Sequence, residues 1–142
     1  ADETGPGYSF SVGLYLKFGH PEILVMGLSE SVGAQFINDA AAQISNGKIF
    51  QSRERNKDLA VGFTCSFVPI LVEHYKEYLG YGVWFYRSLK RPFPAIQLVW
   101  PDKKGVLPWE ENYDEKFYKL QRLLDAAGVN ICSFNKTKCS IF

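Results

Sequence analysis

Apolar and small polar residues alternate near the start of the chain, with Tyr8, Phe10 and Val12 interleaved with Ser9, Ser11 and Gly13. A period of two predicts a half-buried strand, entered through the Gly5-Pro6-Gly7 turn. A more continuously apolar run at 22–28 predicts a second strand. Ser29 or Ser31 can cap the helix that follows, whose apolar positions Val32, Phe36, Ile37, Ala40 and Ile44 recur at helical spacing until Asn46-Gly47 stops it. The polar stretch 51–58 reads as a loop, and Val61, Phe63, Cys65 and Phe67 line one face of a third strand that Pro69 ends. Tyr75, Leu79, Val83 and Tyr86 mark a second long helix despite Gly80 and Gly82. A basic loop at 87–94 leads to a strand at 95–100, and Asp102-Lys103-Lys104-Gly105 supplies a turn into Val106-Leu107. Phe117, Leu120 and Leu124 predict a last helix closing at Gly128.

The short connections between the first two strands and around Asp102 favour antiparallel neighbours. The expected architecture is therefore α+β: a mostly antiparallel sheet packed with about three helices, in a single domain over 1–142.

The order of motifs adds a family to this pattern. Val12-Gly13-Leu14, Gly19-His20-Pro21-Glu22, Asn38-Asp39, Glu73-His74-Tyr75, Tyr78-Leu79-Gly80, Trp84-Phe85-Tyr86, Phe93-Pro94-Ala95, Gln97 to Asp102, Gly105 and Pro108-Trp109-Glu110 follow one another along the chain. In that order they resemble the signature of bacterial domain-of-unknown-function family 4262. The resemblance runs from about residue 5 to 124 and leaves 129–142 as a C-terminal tail. It implies a bacterial source and a further strand before the Gly5-Pro6-Gly7-Tyr8 segment, but no activity. In general style the family is similar to small α+β proteins found around bacterial toxin–immunity systems, an analogy at the level of fold.

Composition narrows the function classes. At 142 residues, 46% hydrophobic and 15% aromatic, the chain can fill one core. Sixteen basic and fifteen acidic residues leave a formal charge of +1, so no global field draws in nucleic acid or an anionic membrane. Near-uncharged stretches such as 60–71 fall short of the ~20 apolar residues that cross a bilayer. Cys65, Cys132 and Cys139 are odd in number and lack Cys-x-x-Cys spacing, which argues for a reducing cytoplasm and against a disulfide framework or structural zinc. No secretory leader is read at the start.

Familiar catalytic motifs fail on their spacing. Gly27-Leu28-Ser29-Glu30-Ser31 lies between a strand and a helix like a hydrolase nucleophile elbow, yet its fifth position is Ser31 where the strained turn needs a small glycine. Helix capping accounts for both serines. Trp100-Pro101-Asp102 is similar to the acid loop of tyrosine phosphatases, but Leu71 and Lys138 stand six residues after Cys65 and Cys132 where a phosphate-binding arginine is required. Phosphate-loop and dinucleotide glycine patterns are absent. The basic groups Arg53/Arg55/Lys57 and Arg87/Lys90/Arg91 read as solvated loop faces, and nucleic acid is not the expected partner. Asn135-Lys136-Thr137 is a glycosylation sequon by letter alone.

Two functional hypotheses and a third, conditional one remain. In the leading one the chain is a non-catalytic module that binds a protein through Trp84, Gln97, Trp100, Trp109 and Glu110, because aromatic residues are abundant and tryptophan and tyrosine are enriched in binding hot spots. Its rival is a small hydrolase or metal-dependent enzyme using His20, Glu22, His74 and Asp102, since both histidines stand beside carboxylates. The last four residues, Cys139-Ser140-Ile141-Phe142, fit a prenylation pattern and allow a host-directed effector anchored at Cys139. No metal set or cofactor is assigned.

Overall fold

A computed structural model describes residues 7–60, 63–125 and 139–141, with backbone alone at 58, 60 and 139–141. The elements are β1 (Tyr8–Phe10), α1 (Leu14–Phe18), β2 (Glu22–Met26), α2 (Glu30–Ser45), β3 (Asn56–Ala60), β4 (Phe63–Pro69), α3 (Tyr75–Tyr78), α4 (Gly80–Ser88), β5 (Ala95–Val99) and β6 (Cys139–Ile141), with 3-10 turns at Val72–His74 and Glu115–Phe117.

The strands form one sheet in the order β3-β4-β5-β2-β1-β6. Its pairing is mixed, which corrects the expectation of a mostly antiparallel sheet. β1/β2, β3/β4 and β4/β5 are antiparallel, whereas the central β2/β5 pair and β1/β6 are parallel. Short connections do give antiparallel neighbours, as expected for β1 and β2. The chain between β2 and β5, however, passes through α2, the β3–β4 hairpin and α3–α4 before it returns, and so it re-enters from the same end.

The described residues hold four helices, α1 to α4, against the expected three or so, and they cover both faces of the sheet. On one face α2 packs Phe36, Ile37, Ala40 and Ile44 on Ile23, Val25, Phe67 and Leu98. On the other, Tyr78 and Leu79 meet Tyr8, Phe10, Leu24 and Met26. This is why β2 is buried at all five positions: a strand covered on both sides loses the inside–outside alternation. Gly33 lets α2 cross close to the sheet, since a Cβ there would sit 3.0 Å from Ser9 Oγ.

Ser29 caps α2 by accepting from Val32 N at 3.3 Å, and Gly47 at φ 97° follows the Asn46 C-cap, as the sequence predicts. Other boundaries differ. The expected loop at 51–58 contains β3, an edge strand paired with β4. The expected 75–86 helix is broken at Leu79 (φ −124°, ψ 34°). No α-helix is present in the described part of 117–128: a single 3-10 turn gives way to irregular backbone held by glutamine side chains, and Gly128 lies outside the described residues. That segment crosses the β2–α2 turn at Gly27, where φ is 88° and a Cβ would stand 2.3 Å from the Leu120 carbonyl oxygen. Among the described residues no helix is long and apolar enough to cross a membrane.

Candidate binding site

Glu22 begins β2 and is completely buried. Its carboxylate accepts hydrogen bonds from Ser11 Oγ (2.6 Å), Gly13 N (2.8 Å), Tyr15 N (3.1 Å) and Leu14 N (3.2 Å), and from the Tyr86 hydroxyl. Three of these donors are backbone N–H groups at the start of α1, so Glu22 supplies the cap that Gly13 has no side chain to give. Tyr86 in turn accepts from Leu16 N at 3.0 Å, and burial followed by its hydrogen bond to Glu22 pushes its phenol up to about 12. Glu22 thus builds local structure, and α1 exists because of it.

The other three candidate polar residues are similarly engaged. His20 Nδ1 lies 2.9 Å from the Pro21 carbonyl and Nε2 lies 3.4 Å from Phe50 N. That pattern assigns the neutral tautomer, with Nδ1–H donating and Nε2 accepting. Burial lowers the His20 pKa, opposed by the Pro21 carbonyl and the Glu22 charge, in keeping with this assignment. His74 is buried in the 3-10 turn after β4 with its ring edge-on to Tyr78. Asp102 accepts from Lys104 N (2.8 Å), Val106 N (2.9 Å) and Asp114 N (2.9 Å), which closes the turn after β5. Desolvation raises its pKa, but the three backbone donors and Lys104 outweigh that and hold it below the usual range.

These four side chains do not share a cleft. His20 packs with Phe50 on the α2 face, whereas His74 and Glu22 face the α3–α4 side with Tyr78 and Tyr86. Glu22 pairs with Ala95 at the start of β5, and Asp102 follows the far end of that strand. Among the described residues no three His, Cys, Asp or Glu side chains are grouped to hold a metal ion. Burial alone pushes the Cys65 thiol up to about 12, far from a nucleophilic thiolate. Cys132 and the 135–137 sequon lie outside the described residues, as does the side chain of Cys139.

The residues expected to bind a partner divide into two sets. Gln97 is fully buried: its Nε2 donates to the Arg122 carbonyl (2.9 Å) and its Oε1 accepts from Leu124 N (2.8 Å). Trp100 is buried too, its Nε1 donating to the Met26 carbonyl at 2.7 Å, while its backbone N–H and C=O are held by Gln121 at 3.0 and 2.7 Å. Trp109 is half-buried under the Arg53 guanidinium, 4.6 Å from the ring centroid. Arg55 pairs with Glu110, and this hydrogen bond, with a second from Leu107 N, holds the Glu110 carboxyl below its ordinary value. Trp84 alone of these is well exposed, at 59%, on α4 with Tyr81 5.4 Å away.

α3, α4 and the following loop enclose a groove of about 540 Å³, lined on α4 by Val83, Tyr86 and Arg87. Tyr75, Val83, Tyr86 and Phe93 supply apolar walls, with Phe93 stacked on Tyr86 at 4.7 Å and tilted against Tyr75 at 5.0 Å. Lys76, Arg87 and Arg91 stand along it and are exposed. Among the described residues none of these three cations lies within 4.0 Å of a carboxylate; Arg91 instead rests over the Tyr15 ring at 5.4 Å. The basic run 87–91 is exposed throughout, as a solvated face would be, and its Arg87 and Arg91 also line the groove. The signal that could have marked it is its position directly after Trp84-Phe85-Tyr86.

Comparison with protein families gives one match: the family described as a domain of unknown function, DUF4262, over residues 1–114. The chain belongs to this family. No curated protein and no solved structure matches it. In this DUF4262 chain the groove, Trp84, Gln97, Trp100, Trp109 and Glu110 all fall inside the matched region, whereas Gln121 and Leu124 lie beyond it.

Proposed function

We propose that this chain is a non-catalytic module that binds a protein partner with the face built by α4 and the loop after it. The observation that carries the reading is a contrast in how polar groups are used. Those suited to chemistry, His20, Glu22 and Asp102, are engaged by backbone and hydroxyl groups of the fold, while Tyr81 and Trp84 stand exposed on α4, the helix that also lines a groove with cations along it. Large rigid aromatics with little conformational entropy to lose are the usual anchors of protein interfaces.

A photo-crosslinking amino acid placed at position 84 in living cells tests this, with position 49 as control because Ile49 is 65% exposed and lies near α2, away from this face. The expected result is one discrete crosslinked partner from position 84, missing from position 49 and weakened by Tyr81→Ala. Adducts that are equal at both positions, or absent at 84, would overturn the reading.

A further inference from the structure

We propose that the groove between α3, α4 and the 89–93 loop receives an acidic, hydrophobic peptide segment of the partner, its apolar side chain against Tyr75, Val83 and Phe93 and its carboxylates on Arg87, Arg91 and Lys76. This rests on the protein-binding reading above and names the chemistry that the same site selects. Charge complementarity is the first argument. Three cations converge on one groove without a carboxylate among its lining residues: Glu22 is enclosed by five donors behind Tyr86, and Glu73 and Glu77, adjacent in sequence to Val72 and Lys76, are not part of the lining. A guanidinium left without an acid offers a planar fork that matches a carboxylate in two parallel hydrogen bonds.

The second argument is the wall chemistry. A volume of about 540 Å³ with half-buried Tyr75, Val83 and Phe93 admits a bulky apolar side chain along with the chain that carries it. The aromatic rings do not suit a nucleic acid. Phe93 is already stacked on Tyr86 and leans on Tyr75, so the ring faces that bases would need are largely taken by one another. The floor is also rigid, because Tyr86 is fixed by Glu22 and Leu16 N, so little ordering is required when a segment docks.

Panning a random twelve-residue peptide library on the full chain, with the folded Arg87→Glu/Arg91→Glu variant as counter-selection, tests the proposal. The expected pool is enriched in Asp and Glu next to aromatic or branched apolar residues. A synthetic member of it is expected to bind the wild-type chain at least tenfold tighter than the variant and tenfold tighter than its own Gln/Asn counterpart. Amide shifts at Tyr75, Val83 and Phe93 should accompany binding. A neutral or basic pool, no enrichment, equal affinity for the Gln/Asn peptide, or displacement of the peptide by a ten-nucleotide oligothymidine would each overturn the acidic-segment proposal. The crosslink from position 84 is read separately: if it persists after any of these results, the binding module stands and only its ligand chemistry is wrong.

Discussion

Two basic clusters that look alike as sequence behave differently in the folded chain. Arg53 and Arg55 are bound by the body of the protein: Arg53 lies over Trp109 and pairs with Asp125 at 2.7 Å, and Arg55 pairs with Glu110. Arg87 and Arg91 lie on a groove without an acid partner among the described residues. The first cluster staples distant segments together; the second makes no ion pair among the described residues. The difference arises from partners 55 to 72 residues away, which no local window of sequence contains. The proposed ligand therefore rests on which cations are left unpaired at the groove and not on the number of basic residues.

The largest expected effect comes from breaking the support under the open cluster. Glu22→Ala strands the Gly13, Leu14 and Tyr15 N–H groups and two hydroxyls. A loss of roughly 3 kcal/mol or more is expected in urea unfolding, because each buried orphan donor costs about 1–3 kcal/mol before relaxation. A loss below ~1 kcal/mol would mean that α1 and the groove floor stand without Glu22.

Arg53→Glu/Arg55→Glu comes next. It removes a cation–π contact and two partly exposed ion pairs and sets like charges beside Asp125 and Glu110. The expected destabilisation is about 1–2 kcal/mol, smaller at high salt because exposed pairs are screened. The matching double reversal Arg87→Glu/Arg91→Glu breaks no ion pair and removes only the exposed contact of Arg91 with the Tyr15 ring, so the expected loss is smaller, at or below ~0.5 kcal/mol. Equal destabilisation by the two variants would remove the distinction between the clusters.

A smaller effect follows from Glu110, whose folded pKa lies below its ordinary value of 4.5 through Arg55 and then Leu107 N. A depressed carboxyl contributes stability that is complete above the ordinary value and is lost as pH falls through the folded one. Arg55→Ala is therefore expected to flatten the acid limb of the stability curve below pH 4.5 and to raise the Glu110 midpoint in a carboxyl NMR titration. An unchanged midpoint would mean that the Arg55 contact does not persist in solution.

Much of the fold was legible where one element controls its own fate. The apolar stripe and Ser29 cap of α2 and the turn at Asp102 follow from local spacing. What was not legible depends on distant groups. α1 is five residues long and is capped by a carboxylate from the next strand, so no cap appears in its own sequence. β3 is a polar strand whose one neighbour among the described residues is β4, and Asn56-Lys57-Asp58 carries no alternation. The site divides in the same way. Trp84 is exposed, but Gln97 lies at the centre of β5 and Trp100 just after it, both buried, where a polar side chain serves the interior. The paired cations of the groove were visible as letters and could not be told from Arg53 and Arg55 until their surroundings were known.

Gln97 and Gln121 suggest a consequence for how the chain could be assembled. The 121–124 stretch is attached to β5 through side-chain amides, with Gln97 answering the backbone at Arg122 and Leu124 and Gln121 answering that of Trp100. Such a joint reads residue identity at a few points and is indifferent to the length of chain leading up to it. The exposed Glu111-Asn112 tip could thus be cut or lengthened while the docked piece, with buried Tyr113 and the Asp114 bond to Asp102, finds its seat again. Two fragments split there are expected to reconstitute one another on mixing, as followed by recovery of the tryptophan fluorescence of the intact chain, and Gln97→Ala in the larger fragment is expected to abolish that recovery.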